Sequence, residues 1–88
     1  MQIEDIAGIK ELATALHVNV TTITNWRHYQ PTFPENKSYV SARPVYHLLE
    51  VVTWWMGWKP QKNIPKVGHI DDELRERALA WQAQSRQT

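Results

Sequence analysis

Ile9 to His28 (IKELATALHVNVTTITNWRH) restricts the fold of this chain more than any other stretch. Leu12, Ala13 and Leu16 stand at i, i+1 and i+4, which places them on one face of a first short helix, and Ile23 and Trp26 stand at i and i+3 on a second. Val18 falls at the corner between them, where it can fill the angle from inside. Ala13 is small at the point where two steeply crossed helices must approach closely, and a larger side chain there would hold them apart. His17 occupies the position of the turn that calls for a left-handed backbone. Glycine is usual there, and histidine is among the few other types that tolerate it. Asn19 precedes the second helix as a capping residue.

The spacing predicts a first helix from Ile6 or Ile9 to Leu16 and a second from Val20 to about Tyr29, stopped ahead of Pro31. Residues 1 to 8 read as a short lead in which Ile3 and Ile6 cover the underside of the first helix, with Glu4 or Asp5 near its start. Gln30 to Arg43 changes character. Two prolines, a polar Glu-Asn-Lys-Ser cluster and then Tyr39 and Val40 predict a hairpin with its tip near Asn36. Beyond Pro44, the residues Val45, Leu48, Leu49, Val52, Trp55 and Met56 recur at helical spacing. The start of that helix has two readings, at Pro44 or near His47 with Val45 and Tyr46 as the last strand. Gly57 is its stop. Residues 58–70 read as an extended connector, and Asp71, Asp72 and Glu73 open a last helix within 71–88, with Leu74, Ala78 and Trp81 as its apolar stripe.

Eighty-eight residues suffice for one small domain with an appendage. A hydrophobic fraction of 42% and a charged fraction of 22% are those of a folded chain, and no apolar run approaches the roughly 18 residues a membrane span requires. Glu4 and Asp5 stand where a secretory leader would carry positive charge. The absence of cysteine removes disulfides, thiolate metal sites and a cysteine nucleophile, and is compatible with a cytoplasmic, intracellular setting. The four histidines, His17, His28, His47 and His69, show no metal-ligand spacing, and neither a phosphate-cradling glycine loop nor a nucleophile–histidine arrangement is present. An enzyme, a cofactor and a small-molecule substrate are therefore not expected.

Taken together, Leu12-Ala13, Val18, Thr22-Ile23, Asn25-Trp26, Pro31 with Phe33-Pro34, Arg43, and Tyr46 followed by Val51-Val52-Thr53-Trp54 resemble the small winged helix-turn-helix DNA-binding proteins of phages and mobile elements. Excisionases, AlpA-type regulators, the DNA-binding domain of MerR-type regulators and that of lambda-like terminase small subunits are similar in this respect. The resemblance covers about residues 8 to 56. It implies a mainly α fold with a small β-hairpin, in which residues 1–57 form the winged helix-turn-helix and the C-terminal helix serves packing or dimerisation.

The resemblance also implies a mechanism. The second helix, about 20–29, would enter the major groove of double-stranded DNA, with Val20, Thr21, Thr24, Asn25 and His28 facing outward opposite Ile23 and Trp26. Asn25 is the strongest candidate for reading a base, because its amide donates to and accepts from adenine together. Thr21, Thr22, Thr24 and Val20 would meet phosphates or thymine methyls, and Arg27 a phosphate from the helix flank. From the wing, about 31–43, Lys37, Ser38 and Arg43 would reach the adjacent backbone or minor groove.

Charge and the tryptophans pull the other way. Net charge is only +1, and in residues 1–45 Lys10, Arg27, Lys37 and Arg43 are balanced by Glu4, Asp5, Glu11 and Glu35. Five tryptophans are many for so short a chain. Packing inside the chain is the first expectation for them. A homodimer or partner contact through Trp55, Trp58, Leu74, Ala78 and Trp81 is the alternative. Two functions are thus in play: a regulator or excisionase-like factor bound to specific duplex DNA, and a protein-interaction module that uses exposed tryptophans on the same fold.

Overall fold

The computed structural model describes residues 6–59 and 66–86. Among them, four helices and a small three-stranded antiparallel sheet follow one another as β1 (Ile6–Gly8), α1 (Ile9–Leu16), α2 (Val20–Tyr29), β2 (Ser38–Val40), β3 (Arg43–His47), α3 (Leu48–Gly57) and α4 (Asp72–Arg86). The sheet order is β1-β3-β2, with Ala7 opposite Tyr46 and Tyr39 opposite Pro44.

α1 and α2 form where the apolar spacing demands. Leu12 and Leu16 are wholly buried, Ala13 nearly so, and Ile23 and Trp26 meet them from α2. Each fully buried branched side chain of this kind contributes about 1.5–3 kcal/mol relative to exposure. His17 ends α1 at φ 56°, in the left-handed region expected of it. The His17 amide donates to the carbonyl of Thr14 and the Val18 amide to that of Ala13, the two bonds of a Schellman stop. Asn19 precedes α2 in extended backbone as a cap should. Its side chain makes no capping bond, however, and its carbonyl accepts from Thr22 and Ile23 instead.

Three expectations are corrected. The lead into α1 is a strand: Ala7 is buried, whereas Ile6 lies exposed at the sheet edge instead of beneath the helix. Ile3, Glu4 and Asp5 lie outside the described residues. The hairpin tip is at Ser41 and Ala42, both at positive φ (52° and 65°), and not near Asn36. Asn36 belongs to the preceding loop, where its side-chain amide donates to the carbonyl of Ser38, and Phe33 from that loop is buried against Tyr46. The expected small hairpin is thus the β2–β3 part of a larger sheet, shifted toward the C-terminus of its expected span.

Val45 and Tyr46 are strand residues, and α3 begins directly after His47, whose Nδ1 accepts from the Glu50 amide. Adjacent tryptophans on α3 point about 100° apart, too far for one narrow face to bury both. The fold uses both directions. Trp54 turns to the loop after α2, where its indole N–H donates to Thr32 Oγ1 at 2.9 Å. Trp55 turns the other way and donates to the carbonyl of Val67 at 3.0 Å. Trp58 donates to Gln30 Oε1 and lies against the Trp26 and Trp54 rings, with centroids 5.3 Å from each.

Trp55, Trp58 and Ala78, considered above for contact with a second copy, are buried within the chain itself. Leu74 and Trp81 are partly buried and pack on the same core, Trp81 with its ring 5.1 Å from that of His47. α4 therefore lies along α3, and Ile70 just before it is almost fully buried. Of the expected connector, residues 66–70 run as a docked strap, while 60–65 lie outside the described residues. No helix among the described residues is long and apolar enough to cross a membrane.

Candidate nucleic-acid interface

α2 presents its side chains in three directions. Ile23 and Trp26 point into the core. Thr21, Asn25 and His28, at i, i+4 and i+7, form an exposed stripe. Asn25 makes no hydrogen bond with a described side chain, so both its donor and its acceptor remain available. Beside this stripe runs a second one, Val20, Thr24 and Arg27, that borders the space toward the hairpin. Val20 is 48% exposed, and the Thr24 hydroxyl is turned back onto the Val20 carbonyl at 3.2 Å. A threonine so bonded offers its methyl group outward more than its hydroxyl.

Thr22 stands apart from these. It faces the opposite flank, lining a depression with His17, Val18, Asn19, Val67 and Gly68. The expected row of α2 contacts is therefore Val20, Thr21, Thr24, Asn25, Arg27 and His28 on one side, with Thr22 turned to the strap.

The hairpin contributes less charge than its sequence suggests. Lys37 precedes β2 and its ammonium lies 3.0 Å from Glu50 Oε2 on α3. Ser38 and Arg43 are exposed at the two strands, and Arg43 forms no ion pair with a described residue. Tyr39 and Val40, about 60% exposed each, give the tip an apolar character. Arg27 also forms no such pair. It lines a depression of about 330 Å³ with Phe33, Pro34, Glu35, Asn36 and Tyr46.

Tyr46 is a residue whose surroundings the sequence did not disclose. Its hydroxyl is buried and has no hydrogen-bond partner among the described residues. Burial pushes the phenol above its ordinary pKa, while the nearby Arg27 charge pulls in the opposite direction. Val45 and Tyr46 are one of two readings for the last strand, and nothing in the sequence ties Tyr46 to Arg27.

On the flank away from the hairpin, the strap packs against the α1–α2 turn. The His69 amide donates to the Leu16 carbonyl at 2.8 Å, His17 Nε2 stands 3.5 Å from Asp71 Oδ1, and the two imidazole rings lie 5.5 Å apart. Lys66 sits 4.5 Å from the centre of the Trp55 ring, and desolvation there lowers its pKa. Among the described residues, no three His, Asp or Glu side chains converge in a way that could hold a metal ion. No protein-family model, characterised protein or solved structure matches the chain.

Proposed function

We propose that this chain binds specific double-stranded DNA as a small winged helix-turn-helix protein of the phage and mobile-element kind. In this reading α2 enters the major groove and the β2–β3 hairpin is the wing, lying on the adjacent backbone or minor groove. The protein serves as a transcriptional regulator or an excisionase-like factor. The observation that carries the proposal is the exposed stripe of Thr21, Asn25 and His28, with the Asn25 amide in no internal hydrogen bond, on a ten-residue helix whose back is fixed by Ile23 and Trp26. A rigid helix with a polar face whose amide is not used internally is what base reading requires, because both groups of Asn25 can then bond adenine at N6 and N7.

Contacts from α3 hold this helix in place. α2 and the loop after it are held from α3 by the Trp54–Thr32 and Trp58–Gln30 hydrogen bonds, and by the Trp26, Trp54 and Phe33 rings at centroid distances of 5.0–5.6 Å. The alternative, a protein-interaction module acting through exposed tryptophans, draws no support from the packing. Trp26, Trp55 and Trp58 are buried, and Trp54 and Trp81 are packed against the core.

Selection of bound fragments from a random duplex pool tests the proposal. The wild-type chain is expected to enrich one short sequence. Asn25→Ala combined with Thr21→Ala is expected to erase the enrichment while leaving thermal unfolding unchanged, since both side chains are exposed. Enrichment that survives in the double variant removes α2 from the reading role.

A further inference from the structure

A groove of about 480 Å³ runs between α2 and the hairpin, and it combines two features. Its floor and walls are largely apolar, from Ile6, Ile9, Val20, Val40 and Val45, with the Thr24 methyl beside them. Two cations line it as well. Lys10 belongs to the first turn of α1 and Arg43 to the start of β3, and neither forms an ion pair with a described residue.

We infer that this groove seats one sugar-phosphate strand of the bound duplex, with Lys10 and Arg43 each gripping a phosphate. The inference rests on the DNA-binding reading above and adds to it a contact from α1. The chemistry of a DNA strand fits both features. Deoxyribose presents carbon-bound hydrogen to an apolar wall, thymine adds a methyl group, and the phosphates on either side require cations. An apolar peptide would fit the walls equally well but would gain nothing from the two unpaired cations.

Glu11 is the acid within the groove. Its carboxylate is folded back against Gly8, with Oε2 2.9 Å from where a β-carbon on that residue would stand. There it lies at the amino end of α1, where the helix dipole favours negative charge. The groove is also continuous with the interface proposed above, because Val20 and Thr24 form one of its walls and belong to the stripe next to Thr21 and Asn25.

Salt dependence of binding to a short mixed-sequence duplex provides the test. Each phosphate contact contributes about 0.9 to the slope of log affinity against log salt, so each accounts for a roughly 3-fold fall in affinity between 50 mM and 200 mM salt. Lys10→Ala and Arg43→Ala are each expected to flatten the slope by about that amount, with no change in the preferred sequence. Lys10→Gln, which retains most of the side-chain stem, should match Lys10→Ala. Arg75→Ala removes the same charge from the exposed side of α4 and should leave the slope as in the wild type. If Lys10→Ala and Lys10→Gln keep the wild-type slope while the wild type binds duplex, the clamp is overturned and the DNA-binding reading stands. If the wild type shows no salt-dependent binding to any duplex, both are overturned.

Discussion

Trp55 on α3 donates its indole N–H to the carbonyl of Val67, 3.0 Å away, and so joins the core helix to a strap that arrives from beyond the end of α3. The next residues continue the attachment, with His69 bonded to the Leu16 carbonyl and Ile70 buried. The turn between α1 and α2 is therefore braced on one flank by chain that follows Gly57. An independent domain ending at Gly57 would leave Trp55 and the Leu16 carbonyl without these partners, and would open the surface covered by Ile70 and Ala78.

Gly68 is the tightest point of the strap. It has φ 105°, and a β-carbon there would stand 3.1 Å from the Leu16 carbonyl oxygen and 3.2 Å from both Trp55 Nε1 and Val18 Cγ1. Gly68→Ala is expected to destabilise the fold by about 1–3 kcal/mol, through an unfavourable backbone region and the displacement of these neighbours. Gly57→Ala is the control, because a β-carbon there would meet nothing within 4 Å. Placed in the last turn of α3, it should be neutral or gain up to about 1 kcal/mol. Urea unfolding of the two variants measures the difference.

The hairpin tip offers a change in the opposite direction. Ser41 and Ala42 both take positive φ, a turn for which Asn-Gly is the favoured pair. Ser41→Asn with Ala42→Gly is expected to raise stability by about 1 kcal/mol, since the present residues sit in a region that costs residues other than glycine free energy. A higher urea midpoint with an unchanged slope is the expected result.

This turn also illustrates what the sequence could convey. The i, i+3 and i+4 spacing of Leu12, Ala13, Leu16, Ile23 and Trp26 reports burial directly, so α2, the end of α1 and the left-handed His17 were legible to within a residue, while Ile9 is one of two starts predicted for α1. Turn chemistry reports only when the preferred residues are used. With Ser-Ala at the real tip and Glu-Asn-Lys-Ser upstream, the polar cluster drew the tip to Asn36. β1 is three residues long and has no alternation to detect, and the strap is set by single hydrogen bonds from distant residues, which leave no local pattern. On α2 the outward stripe was legible for the same reason as the core, but that Thr22 turns to the strap and Lys37 to Glu50 depends on tertiary neighbours.

Tyr46 links stability to alkaline pH. Its buried hydroxyl has no partner among the described residues, so Tyr46→Phe should cost nothing and gain up to about 1 kcal/mol near neutral pH. The phenol's pKa is raised above 10.0 in the fold, chiefly by burial. As pH rises past that ordinary value the unfolded chain loses this proton while the native chain keeps it. The native state then holds more protons, and stability falls. Below about pH 9 the contribution of Tyr46 is constant, and Tyr46→Phe should lose less stability than the wild type between about pH 9 and pH 11. Denaturant midpoints across that range compare the two.

On the proposed DNA-binding reading, the Lys37–Glu50 pair sets how much of the hairpin's charge is offered to the duplex. At 3.0 Å the carboxylate neutralises the ammonium that would otherwise stand beside β2, and the pair is partly exposed, so its own contribution to stability is at most about 1 kcal/mol. Lys37→Ala should therefore change DNA affinity little in the wild-type background. Glu50→Gln releases the lysine and removes a negative charge near the hairpin. DNA affinity should rise, and the slope of log affinity against log salt should steepen by about 0.9 if the freed ammonium meets a phosphate. Removing Lys37 from the Glu50→Gln protein should then cancel the gain. That reversal separates a direct lysine contact from a general change in charge, because a general effect of losing Glu50 would persist in part without the lysine. An unchanged slope in Glu50→Gln would mean that this end of the hairpin lies off the DNA, and would confine the wing's contact to Arg43 and the residues about the turn.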